Sequence, residues 1–166
     1  MSFFSPQFGW ACDAIVNFEV VLSTGEVVNA NATSHSDLFE ALKGGQNNFG
    51  IVTRFDLKAF PASKVWGGRI IYAPAATTDL LTAFTRFKTV EGFDSYVAGW
   101  MTIRYNHTAT AFNPVVIMWH TKPELKPGAL KTITEIQPQV LNGMVEAPIS
   151  EHTRNASRAV IASPRR

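Results

Sequence analysis

The sequence predicts an α+β chain built on antiparallel strands. Several segments place apolar residues at every second position, two segments place them at helical spacing, and a four-residue turn joins two of the strands, a link short enough only for antiparallel pairing. The 166 residues are enough for one ordinary domain and short for two. With 46% hydrophobic and 17% charged residues, 12 Phe and 4 Trp, the chain carries the apolar bulk of a core, which excludes disordered, collagen-like and coiled-coil classes.

Residues 14–31 read as a hairpin, because Val16, Phe18, Val20 and Leu22 alternate with Asn17 and Glu19, and Ser23-Thr-Gly-Glu26 supplies the turn before Val27 and Val28. Ser34-His-Ser-Asp37 has the form of a capping box and opens a short helix carrying Leu38, Phe39, Ala41 and Leu42, which stops at Gly44-Gly45. A loop tolerant of positive φ, Gly44 to Gly50, leads into a strand with Ile51, Phe55 and Leu57 expected inward and Arg54, Asp56 and Lys58 outward. Pro61-Ala-Ser-Lys64 is a seam, and a boundary is expected near residue 62. A strand over 65–73 follows, then an amphipathic helix over 75–89 with Leu80, Leu81, Phe84 and Phe87 at helical spacing. Val97 to Tyr105 and Val115 to His120 form two further strands of antiparallel partnership, and Lys126-Pro-Gly128 starts a helix through Leu130, Ile133 and Ile136. The expected organisation is therefore 1–61, 62–142 and a poorly ordered tail over 143–166.

Fifteen Lys+Arg against thirteen Asp+Glu leave a formal charge of +2, which predicts no nucleic-acid footprint. Arg154, Arg158, Arg165 and Arg166, diluted by Asn, Ala and Ser, read as a solvated tail. Cys12 is the single cysteine, so no disulfide framework or thiolate cluster can form within the chain and no metal site is expected. The N-terminus lacks the basic and apolar regions of a signal peptide, no stretch approaches eighteen apolar residues, and no membrane association is expected. Sequons at Asn31, Asn106 and Asn155 fit a secreted history, but motifs this short also arise by chance.

The glycines at 44–50 invite a nucleotide-binding reading, yet here the loop follows a helix and precedes a strand, the reverse of a dinucleotide fingerprint, so spacing alone favours a structural helix stop. Phosphate-loop, nucleophile-elbow and zinc-helix motifs are absent. His120 shares an alternation face with Val116 and Met118, where burial would perturb it. It, Arg104 and Tyr72 are the candidates for proton transfer or substrate contact, each set against an ordinary packing role. His35 reads as a residue of the helix start, while His107 and His152 read as exposed.

Ser2-Phe-Phe-Ser-Pro-Gln-Phe-Gly-Trp-Ala-Cys-Asp13, Val16-Asn-Phe-Glu-Val-Val-Leu22, Asn29-Ala-Asn-Ala-Thr33, Asp37-Leu-Phe39 and Gly44-Gly-Gln-Asn-Asn-Phe-Gly-Ile-Val-Thr53 form ordered blocks. Together they resemble the fungal FAD-linked oxidases of the berberine-bridge-enzyme-like, vanillyl-alcohol-oxidase type. Tyr72-Ala-Pro74, Thr121-Lys-Pro-Glu124 and Ile136 to Asn142 extend the resemblance more weakly. It implies the C-terminal part of a PCMH-type FAD-binding domain, followed by the start of a substrate domain whose antiparallel sheet is backed by helices.

The resemblance further implies FAD as cofactor, a small organic substrate, oxygen as acceptor and a role in secondary metabolism. Gly9, Cys12, Asp13, Gly50, Ile51 and Val52 are implied to lie along the flavin, largely through backbone atoms. Ala14, Glu40 and Gln46 depart from the Asn, Trp and Gly usual at those places and would alter the flavin wall. The pyrophosphate loop, the histidine that anchors the flavin and the returning tyrosine-asparagine segment of the family match nothing in these residues, so the expectation is an oxidoreductase truncated at both ends. A homo-oligomer or complementing chain is one way such a chain would be completed. The alternatives are a cofactor-independent cyclase or isomerase using the substrate-domain pocket, and a non-catalytic, partner-dependent remnant.

Overall fold

The computed structural model describes residues 2–89 and 93–154. The Asn155 sequon and Arg158, Arg165 and Arg166 lie outside the described residues. The chain divides into two compact units, Met1–Pro61 and Ala62–Arg166.

The first unit begins with a helical turn, α1 (Ser5–Phe8), whose Pro6 sits in the first turn where its missing N–H costs nothing. A 3-10 turn (Ala11–Ala14) leads into β1 (Ile15–Val21), β2 (Val27–Asn31), α2 (Ser36–Leu42) and β3 (Ile51–Leu57). The strands run antiparallel in the order β2-β1-β3. Phe18, Val20, Val28 and Ala30 bury one sheet face against Phe39 and Leu42 of α2.

Two local expectations fail in this unit. Ser34 does not cap α2; His35 occupies the N-cap position in the left-handed region at φ 47°, and the Ser34 hydroxyl instead meets the His35 ring at 3.1 Å. Ile51, Phe55 and Leu57 are not buried as expected, being 71%, 54% and 54% exposed. A register shift between Glu19 and Val20 turns Ile51 away: Phe18 pairs with Phe55 and Val20 with Val52, so the inward positions of β3 stand three apart rather than two, while Phe55 keeps the face of Phe18 and stays half exposed on an edge strand.

The second unit contains β4 (Val65–Tyr72), a 3-10 turn (Pro74–Ala76), α3 (Thr77–Thr89), β5 (Val97–Asn106), β6 (Ala111–His120), α4 (Gly128–Thr134), β7 (Gln139–Asn142) and β8 (Val145–Ala147). The sheet order is β5-β6-β4-β7, with β8 also on β4, and every pairing is antiparallel. Trp66, Ile70 and Tyr72 of β4, Val97 of β5 and Val116 and Met118 of β6 share one face. There they bury Leu80 and Phe87 of α3 and Leu130 and Ile133 of α4. The opposite face runs in registered rows outside that cluster: Gly67–Trp119–Ala98, Arg69–Ile117–Trp100 and Ile71–Val115–Thr102, with Asn113 beside Arg104 at the end.

The tail expectation is corrected over 143–154. Val145–Ala147 is a strand on β4, residues 149–154 are helical, and His152, expected exposed, is buried with Nε2 3.0 Å from the Val65 carbonyl. A three-residue strand is too short to show a period, and its order comes from the partner strand.

Candidate functional site

The turn between β1 and β2, the loop after α2 and the first half of β3 enclose a half-open groove of about 810 Å³ in the first unit. Sequence explains its shape. Gly50 holds φ +135°, and a β-carbon there would lie 2.6 Å from the Val21 carbonyl oxygen and 2.7 Å from Val20 Cγ1, so only glycine lets the loop close onto β1. Phe49 of the loop and Ile51 and Phe55 of the edge strand β3 stand 42%, 71% and 54% exposed along the groove, an apolar lining. Ser23 and Thr24 line the other rim.

Of the six residues that the family resemblance assigns to flavin, the structure brings Gly50, Ile51 and Val52 together in this groove. Gly9, Cys12 and Asp13 are not among its lining residues. The Asp13 carboxylate is engaged locally, accepting the Trp10 N–H at 2.8 Å, and the Cys12 thiol is free and half-buried. Sequence reasoning missed Phe49, Phe55, Ser23 and Thr24; Phe49 lies in the loop before β3, and Phe55 lies in an edge strand whose register is interrupted.

In the second unit His120, Tyr72 and Arg104 do not converge. His120 is 1% exposed, with Nε2 3.3 Å from Asp94 Oδ2 and its buried Nδ1 without a hydrogen-bond partner among the described residues. Tyr72 is fully buried on the same helix-backed face and donates its hydroxyl to the Ile133 carbonyl at 2.8 Å; burial pushes its phenol well above the ordinary tyrosine value. Arg104 lies in the rows of the opposite face and is exposed. Tyr72 is thus a core tether, and nothing in its surroundings presents its oxygen to a ligand.

No family model matches the chain. Among curated proteins it is 41% identical over 138 residues to the FAD-dependent monooxygenase prx3 of Penicillium roqueforti, a match covering 82% of this chain and 27% of that protein. It is 46% identical over 96 residues to the FAD-dependent monooxygenase elcE of Phaeosphaeria nodorum, covering 58% and 29%. The chain belongs to the FAD-linked oxidoreductases. It spans roughly a quarter of the length of these curated relatives.

Solved structures agree on the α+β fold. The 6-hydroxy-D-nicotine oxidase of Arthrobacter nicotinovorans superposes with a TM-score of 0.80 at 21% identity, over 99% of this chain and 36% of that one. The carbohydrate oxidase of Microdochium nivale gives 0.62 at 28% identity, over 87% and 31%. FAD is the cofactor of this FAD-linked family. The groove fits the ring portion of such a molecule: it is apolar along Phe49, Ile51 and Phe55 and edged by polar Ser23, Thr24 and Asn47. Its lining holds no Lys or Arg, so it offers no cation to a pyrophosphate.

Proposed function

We propose that this chain forms part of an oxidoreductase that oxidises a small organic molecule with oxygen as acceptor, and that the groove at Gly50, Ile51 and Val52 receives the isoalloxazine end of FAD. The observation that supports this reading is the groove itself, in which three of the resemblance-assigned residues meet an exposed apolar wall. Bound FAD supplies the capacity to accept a hydride from a substrate carbon. The chain's own contribution is positional. Phe49, Ile51 and Phe55 supply apolar lining against a flat ring, and Gly50 shapes the groove by letting the loop close onto β1. Gly9, Cys12 and Asp13 have no part in this groove.

A groove that holds a ring and no phosphate makes a specific demand on affinity. The folded chain, checked by far-ultraviolet circular dichroism, is titrated with riboflavin and with FAD while flavin fluorescence is followed. Saturable binding of both, within about three-fold of each other, is expected because no cation lines the groove. A folded chain that binds neither overturns the reading.

A further inference from the structure

We propose that the sheet face opposite α3 and α4 binds an aromatic carboxylate, with Trp100 as the stacking surface and Arg69 as the partner of the carboxylate. This names a substrate class for the oxidoreductase and rests on that reading only in calling the ligand a substrate.

Arg69, Ile117 and Trp100 stand in one row across β4, β6 and β5. Neighbouring strands lie about 4.7 to 4.9 Å apart, so the backbones of Arg69 and Trp100 are roughly 10 Å apart with an apolar floor between them, room for one or two fused rings. Trp100 is 40% exposed, and its ring meets that of Trp119 at 5.4 Å and 50°. Trp119 is held in turn: a β-carbon on Gly67 would collide with its indole, so the missing side chain of Gly67 is what allows that indole to lie against the sheet. The platform is therefore braced before any ligand arrives.

Charge selects the ligand. Arg69 is half-buried and, among the described residues, has no carboxylate partner and no side-chain hydrogen bond. The rows of this face, Gly67–Trp119–Ala98, Arg69–Ile117–Trp100, Ile71–Val115–Thr102 and Asn113–Arg104, contain two arginines and no acidic residue. A half-buried guanidinium without a counter-charge is a fork matched to a carboxylate, and the same face repels an amine.

The test is calorimetric titration of the folded chain with 2-naphthoate, 2-naphthamide and 2-naphthylmethylamine. Naphthoate is expected to bind at least about ten-fold more tightly than the amide, and the amine least. Arg69→Gln should erase the preference for naphthoate while leaving amide affinity unchanged, and Arg69→Lys should keep part of it. Trp100→Ala should weaken all three, with partial recovery in Trp100→Phe. Circular dichroism of each variant separates loss of binding from loss of fold. Equal affinity for naphthoate and amide, a preference that survives Arg69→Gln, or no binding by a folded chain overturns the proposal. Riboflavin titrated into the same samples separates the two readings. Riboflavin binding without naphthoate binding sinks only this proposal, and naphthoate binding without riboflavin binding sinks only the flavin groove.

Discussion

Tyr72 reaches across 61 residues of sequence to donate its phenolic hydrogen to the backbone carbonyl of Ile133, tying β4 to α4 at complete burial. That carbonyl also accepts the Ile136 N–H at 3.3 Å, so removing the phenol does not orphan it. Tyr72→Phe should therefore cost only about 1 kcal/mol in urea unfolding, the net value of one hydrogen bond. Burial raises the Tyr72 phenol above its unfolded value, so its contribution is intact below about pH 10 and falls as pH climbs past that point, where the unfolded chain releases the proton first. The parent chain should lose stability more steeply than Tyr72→Phe across that alkaline range, and parallel curves would show that the phenol does not titrate this way.

Gly50 carries both a positive φ and a close approach to β1. Gly50→Ala should destabilise the first unit by roughly 1 to 3 kcal/mol, the range for a strained backbone position, read from the chemical-denaturation midpoint. Gly44, at φ +89° with open space around its absent β-carbon, shares only the backbone constraint, so Gly44→Ala should cost less.

The two units have separate apolar clusters. Phe18 is 2% exposed and contacts the rings of Phe39 and Phe55 at 5.8 and 5.7 Å. Phe18→Ala should cost about 3 to 5 kcal/mol in the first unit, the usual penalty for emptying a buried aromatic site. Amide hydrogen exchange should show lost protection in β1 and β2 with protection retained in β4 and β6. Equal loss in both sets would mean that the cores unfold as one.

Ile51 is 71% exposed, so its replacement by Lys should leave the unfolding midpoint within about 0.5 kcal/mol of the parent. The same change places a charged, flexible chain in the groove and should lower riboflavin affinity at least about ten-fold in the fluorescence titration. Unchanged affinity would remove Ile51 from the flavin wall.

The amino-acid pattern made much of this legible. Alternation through Val116, Met118 and His120 marked a buried strand face, and the structure buries all three. Helical spacing of Leu80 and Phe87 marked the side of α3 that meets the sheet. Within the groove, Gly50, Ile51 and Val52 came from the family resemblance, whereas Phe49 and Phe55 did not. Period-two reasoning turned Ile51 inward together with Phe55 because it has no knowledge of the register shift between Glu19 and Val20, which puts Val52 rather than Ile51 opposite Val20.

The sequence by itself determined the kind of fold and the family, because periodicity and ordered residue blocks are local properties that survive without coordinates. It placed β1 to β6, α2 to α4 and the glycine loop that shapes the groove, but not α1, β7, β8 or the helical residues 149–154. Tertiary structure decided what each side chain is for. Tyr72 and Arg104 look alike as polar residues on strands, and only the registered faces send one into the core beneath α4 and leave the other exposed with Arg69 and Trp100 on the far side of the sheet. That assignment depends on strand pairing between residues far apart in the chain, where a one-residue shift moves a side chain to the opposite face, and no local pattern encodes such a pairing.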